Sequence, residues 1–174
     1  MAGNHYDFLT VWRFAAQPEE VWDVLMSEEV VRWWPSVYLR AEILERRSPD
    51  GDGRLIDLHT KGWLPYTLHW RARFTSVQRP TSFTVIAGGD FEGRGVWTLE
   101  PHDGGTKVTY DWRIEAEKPL LRILSPVLRP VFAANHRWAM ARGEESVDLE
   151  LRRRRARDAG ELAAIPPPPG PTFR

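Results

Sequence analysis

Leu120, Leu121, Leu124, Val127, Leu128, Val131, Phe132, Asn135, Trp138, Ala139, Gly143, Val147 and Leu151 follow one another at three- and four-residue steps. That spacing lays them along one side of a single helix. Upstream lie strand-like segments joined by Gly/Pro turns. A long helix must bury its apolar side, and the one large surface on offer is the apolar face of a meander. A sheet closing over a helix follows, with room between them for a ligand. Pro119 introduces the helical region, and Pro126 and Pro130 lie in its early part. Each removes an amide donor, so residues 118–130 are expected to be irregular or broken, with the regular helix starting near Pro130.

The strands are legible from alternation and turn residues. Tyr6, Phe8, Leu9, Val11, Trp12 and Phe14 mark a first strand over residues 5–15. Pro18, followed by Glu19 and Glu20, suits the start of a short helix. A second short helical piece over 28–34 stops at Trp33-Trp34-Pro35. Val37, Leu39, Ala41 and Ile43 then alternate with polar residues. Pro49-Asp50-Gly51-Asp52-Gly53 is a turn. Residues 54–61 form a third strand. Next, Tyr66, Leu68, Trp70, Ala72 and Phe74 share one face, while Thr67, His69, Arg71 and Arg73 share the other. Phe83, Val85 and Ala87 follow, then Gly93, Gly95, Trp97 and Leu99. Asp103-Gly104-Gly105 marks a hairpin. Val108, Tyr110, Trp112 and Ile114 share a face of the last strand.

Composition narrows the function classes. The chain has 174 residues and 24 basic against 24 acidic side chains, for a net charge of +0. Whole-molecule attraction to nucleic acid is therefore not implied. With no cysteine there is no disulfide, thiol nucleophile or Cys-ligated metal. No secretory signal stands at Met1–Asp7, and no uninterrupted apolar run of about 18 residues exists. These features read as a soluble, cytoplasmic protein without integral membrane contact; nothing specifies an oligomeric state. Nine tryptophans imply either a Trp-rich core or an aromatic-lined cavity.

Four stretches carry a family resemblance. They are Ala16-Gln17-Pro18-Glu19-Glu20-Val21-Trp22, Trp33-Trp34-Pro35, Gly93-Arg94-Gly95-Val96-Trp97-Thr98-Leu99-Glu100-Pro101 and Gly104-Gly105-Thr106-Lys107-Val108-Thr109-Tyr110. In order and spacing the chain resembles the START-like helix-grip superfamily, and within it the polyketide cyclase/dehydrase-like (SRPBCC) branch. The resemblance implies an α+β helix-grip fold. About seven curved antiparallel strands would wrap a long C-terminal helix, with two short helices after the first strand. One domain is expected over 1–157, and Pro166-Pro167-Pro168-Pro169 makes 158–174 a Pro-rich tail expected to be disordered or polyproline-like. The resemblance also implies a deep apolar cavity but not a reaction, because fold does not dictate chemistry.

Candidate site residues follow from strand parity. Tyr66, Trp70, Trp97, Tyr110 and Trp112 should face inward, as cavity lining or as core packing. Asn135 interrupts the apolar stripe, as a ligand contact or as an amide bonded to strand backbone. Trp138 lies on the stripe. His136 falls beside it, solvated or satisfied. Trp33 and Trp34 cannot both enter one core from a helix, so one would cap the pocket mouth as a gate. His69 and Arg71 could act as an acid–base and oxyanion pair only if they faced inward, and parity points them outward. Asp57, His59 and Lys61 read as a solvated face. No metal-ligand cluster, nucleotide loop or serine elbow is present, and no cofactor is implied. The Arg152–Arg155 run reads as a positive helix end.

Three functions are compatible. The first is binding or carriage of a small hydrophobic molecule: aromatic, polyketide-like or lipid-like. The second is a cyclase, aromatase or dehydrase acting on a poly-β-ketone chain, with Tyr66 or Tyr110 donating to an enolate oxygen. The third is an interaction module with a filled core.

Overall fold

The computed structural model describes residues 5–117 and 119–173, with the side chains of all of these except 120–122 and 124–126. Leu120, Leu121, Leu124 and Pro126 of the helix reading, and Met1–Asn4 of the N-terminal reading, fall outside the described side chains and residues. The order is β1 (His5–Phe14), α1 (Pro18–Leu25), α2 (Val30–Trp33), β2 (Tyr38–Glu45), β3 (Leu55–Lys61), β4 (Thr67–Gln78), β5 (Ser82–Gly89), β6 (Phe91–His102), β7 (Gly105–Ala116), α3 (Pro119–Arg155) and α4 (Ala159–Ala164).

The strands form one antiparallel sheet in the order β1-β7-β6-β5-β4-β3-β2. Only the passage from β1 to β2 crosses the whole sheet, and α1 and α2 make that crossing. Local chemistry sets α1. Pro18 opens it, and Glu20 accepts from the Gln17 backbone N–H at 2.9 Å, one half of a capping box. Glu20 also takes Arg155 Nη2 at 2.7 Å, which ties α1 to the end of α3.

Helix α3 runs unbroken through 37 residues, about 55 Å at 1.5 Å per residue. The expected break before Pro130 is absent. A proline deletes its own ladder bond, and the flanking turns keep theirs. The stripe is not buried along its whole length, however. Val147 and Leu151 sit in the core, whereas Ile123 and Val127 are 75% and 79% exposed. The sheet curves over the middle and C-terminal part of the helix only.

Strand β2 departs from simple alternation. A register shift between Tyr38 and Arg40 places Tyr38 on the inner side with Ala41 and Ile43, and Leu39 drops out of that lining. The core at the α1 end is aromatic: Trp12 meets Trp34 and Trp97 at ring distances of 5.8 and 5.3 Å.

The tail carries one short helix and a few contacts back to the domain. The Asp158 carboxylate caps α4 by accepting from Glu161 N at 2.8 Å. Arg153 donates to the Pro166 carbonyl, and Phe173 covers Lys61. Proline-rich backbone has little conformational freedom to lose, so a few contacts can hold it. Lys61 is correspondingly buried rather than solvated. No helix among the described residues is long and apolar enough to cross a membrane.

Candidate functional site

A cavity of about 230 Å3 lies between the inner sheet face and α3. Its floor is an aromatic chain running across four strands. Phe74 stacks on Phe83 at 5.6 Å, Phe83 on Trp97 at 5.8 Å, and Trp97 on Tyr110 at 4.0 Å. Tyr110 continues to Trp112 at 5.4 Å, and Trp112 to Trp70 at 6.0 Å. Gly95 makes the flat run possible. A Cβ there would lie 2.4 Å from Trp112 Cε3 and 2.6 Å from Tyr110 Cε2. Seven of the nine tryptophans fill the two roles left open by composition. Trp12 and Trp22 are core, while Trp33, Trp34, Trp70, Trp97 and Trp112 are buried cavity wall.

Trp33 and Trp34 do not divide into a cap and a core residue. Both are buried, and their rings stack at 5.7 Å. Trp33 ends α2, and Trp34 leaves helical geometry at φ −126°. The two side chains are thus released from the angular offset a helix would impose. Neither indole N–H has a partner among the described residues.

The polar atoms of the wall are few. Trp70 Nε1 donates to Thr60 Oγ1 at 3.0 Å. Asn135 Oδ1 accepts from Trp63 N at 2.8 Å and Leu64 N at 3.1 Å, so its carbonyl holds the β3–β4 loop. The backbone-bonded reading of Asn135 is the one realised, on a loop rather than a strand, and the residue also lines the cavity. Burial pushes the Tyr38 hydroxyl well above the ordinary range. Burial, then the neighbouring Tyr38, does the same to Tyr110. Tyr66 is pushed up to about 12 by burial and, secondarily, by Tyr6.

His136 is wall, not surface. Its ring stacks on Phe8 at 4.0 Å, its Nε2 is buried without a partner, and burial lowers its pKa to about 4. Arg54 lines the α1–α2 end. It donates to the Met26 carbonyl at 3.0 Å and lies 4.5 Å from the Phe74 ring centroid, and burial lowers its pKa. The sequence reading did not assign Phe8, Tyr38, Arg54, Lys61, Phe132 or His136 to the cavity wall; it set Lys61 on a solvated face and His136 beside the stripe. The even positions of β1 carried a readable signal for Phe8; Arg54 and Lys61 carried none.

Three candidates fall elsewhere. His69 and Arg71 lie on the outer face with side chains 64% and 63% exposed. They bind Asp57, at 2.8 Å from His69 Nε2 and 3.3 Å from Arg71 Nε. Those contacts hold the Asp57 carboxyl below its usual range. The condition for a catalytic pair, that both face the cavity, is not met, because β4 alternates without interruption from Leu68 to Phe74. Trp138 packs at the margin of the core beneath Arg142 but does not line the cavity. Among the described residues no group of three or more His, Cys, Asp or Glu could hold a metal ion.

A curved antiparallel sheet over a long helix, enclosing an apolar cavity, defines a helix-grip protein. Residues 9–148 match the polyketide cyclase / dehydrase and lipid transport family, and the chain belongs to it. The fold recurs in the Zhui aromatase/cyclase from a Streptomyces species, at 18% identity and TM-score 0.64, over 88% of this chain and 96% of that one. TTHA0849 from Thermus thermophilus shares it at 17% identity and TM-score 0.65, over 82% and 97%. Ms6760 from Mycobacterium smegmatis does so at 22% identity and TM-score 0.58, over 83% and 90%. At these identities the likeness is one of fold. No curated protein matches the sequence.

Proposed function

We propose that this protein binds and carries a small hydrophobic molecule of roughly one or two fused rings. The observation that carries this reading is the cavity itself: about 230 Å3, walled by aromatic side chains, with few polar atoms. That volume is below the roughly 300–1,000 Å3 typical of drug-sized ligand sites, so a compact ligand suits it better than a long acyl chain. Burial of apolar ligand surface contributes about 25 cal/mol per Å2. The hydroxyls of Tyr38, Tyr66 and Tyr110 would orient it. An open cavity also counts against a filled-core module.

Turnover of a poly-β-ketone chain is the rival reading, supported by the family and by the imidazole of His136 in the wall. The ionisation of the wall argues against it. A general acid or base works best with a pKa near the operating pH. Here the imidazole is lowered to about 4 and Tyr66 raised to about 12. Both groups are poor proton shuttles at neutral pH, yet adequate hydrogen-bond partners for a carried ligand.

Native mass spectrometry of gently purified protein, with solvent extraction, is the first test. A titration with the neutral probe 2-naphthamide accompanies it. A defined hydrophobic adduct or saturable one-to-one probe binding is expected. A bare mass together with no saturable binding would reject the reading.

A further inference from the structure

Arg54 stands one residue ahead of β3, at the end of the cavity closed by α1 and α2. Its carbonyl accepts from Phe74 N at 2.9 Å, which sets it across from Phe74 on the sheet. Its side chain is buried on the inner face with Ile56 and Leu58, and all three line the cavity. The guanidinium carbon lies 4.5 Å from the centroid of the Phe74 ring. That ring is the first of the aromatic floor: it stacks on Phe83, and Phe83 stacks on Trp97. The cation therefore sits at one end of the floor, inside the same cavity, in a residue only 6% exposed.

The charge there is poorly matched. Nη1 donates to the Met26 carbonyl, a neutral acceptor, at 3.0 Å. Among the described residues the one carboxylate within 4 Å is that of Glu28, 3.9 Å from Nη1 and too far for a hydrogen bond. Both Glu28 oxygens are already held by Arg46, at 3.1 and 2.7 Å. Two guanidiniums thus share one carboxylate. Nε of Arg54 is buried without a partner, and Nη2 makes no hydrogen bond among the described residues. A charge taken from water is costly until it is paired. Nε and Nη2 form one edge of the guanidinium fork, and such an edge matches the two oxygens of a carboxylate. An arginine suits this task better than a lysine, because its donors are fixed in one plane.

We propose that the Nε–Nη2 edge of Arg54 is an anion subsite of the cavity, taking the carboxylate of a compact aromatic acid whose rings lie against the aromatic floor. The proposal deepens the binding reading above and rests on it. The ligand class becomes a flat apolar ring system carrying one acidic group, with the acid at the α1–α2 end.

The test compares 2-naphthoate with 2-naphthamide, which share a shape and differ in charge, by calorimetric titration of the full chain. The acid is expected to bind about tenfold more tightly, the size of one charge-assisted hydrogen bond. Arg54→Met should bring the ratio of the two affinities to about one. The ratio is the readout because a general loosening of the wall weakens both probes together. Arg54→Lys, which keeps the charge and loses the fork, should fall between the two. Glu28→Gln alters an exposed side chain and removes the competing carboxylate, so it should raise the preference for the acid several-fold. Equal binding of the two probes to the native chain overturns the subsite while the cavity reading stands. So does an Arg54→Met variant that keeps the preference, or a Glu28→Gln variant that leaves it where it was. If neither probe binds the native chain, the cavity reading falls and the subsite with it.

Discussion

Gly143 on α3 meets the Trp34 indole so closely that a Cβ there would lie 2.4 Å from Trp34 Cζ2. The helix can approach α2 and the cavity wall only because this position has no side chain. Two effects compete in Gly143→Ala. Helix propensity favours alanine by about 1 kcal/mol. Forcing a methyl group into a packed aromatic contact costs typically 1–3 kcal/mol. A separation well under 3 Å from a ring held by Trp12 and Tyr38 puts the second effect ahead. Gly143→Ala should lower stability by about 1–2 kcal/mol, and Gly143→Val by more. Urea unfolding at neutral pH checks the order; an alanine variant as stable as the native chain would refute it.

Asn135 and Gly62 make a second interlock. The Asn135 amide fills the space a Gly62 side chain would need, at 2.1 Å from that Cβ position. Asn135→Ala leaves the Trp63 and Leu64 amides without their acceptor. That should cost about 1–3 kcal/mol. Asn135→Asp keeps an acceptor at the same place and should retain both bonds. Amide hydrogen exchange reads this directly. Trp63 and Leu64 should exchange faster in the alanine variant and stay protected in the aspartate variant.

The pH dependence follows from His136. Its unfolded pKa is near 6.5 and its folded value about 4, because burial disfavours the imidazolium. Between these values the unfolded chain takes up a proton that the folded chain refuses. Stability from this group is therefore full above pH 6.5 and is lost as pH falls toward 4. The whole interval is worth about 3 kcal/mol, and about 2 kcal/mol is gone by pH 5. Glu20, held to about 2 chiefly by Arg155, loses its contribution only below its unfolded value near 4.5. His136→Phe keeps the stacking on Phe8 and removes the titration. Unfolding free energies at pH 7, 6 and 5 should decline for the native chain and decline less for this variant.

What could be read from the chain alone divides along physical lines. Tyr66 to Phe74 and Val108 to Ile114 were legible, because a half-buried strand repeats every two residues and nothing interrupts these runs. The pairing of His69 and Arg71 with Asp57 on the outer face follows from the same parity. Tyr38 was not legible. The register shift at Tyr38/Arg40 moves it inward, and alternation cannot report a bulge. The helix through Pro126 and Pro130 was misread because local propensity is outweighed by the turns on either side. His136 looked peripheral on a helical wheel, since the wheel does not show that Phe8 of β1 reaches round to stack on it. Lys61 was out of reach altogether. Its burial depends on Phe173, a partner distant in sequence and in a segment with no periodicity.

Ala139 offers the most direct check on the cavity. It lies on α3, lines the open volume and is only partly buried. Ala139→Phe adds a ring where there is space rather than packed atoms. Helix propensity changes by well under 1 kcal/mol. The added ring should gain burial against Met140 and the aromatic floor, so stability should hold or rise slightly. The same ring takes up space that a compact ligand needs. Binding of 2-naphthamide should therefore fall at least tenfold while the unfolding midpoint stays within a few degrees of the native chain. A variant that folds and still binds the probe with native affinity would place the binding site somewhere other than this cavity.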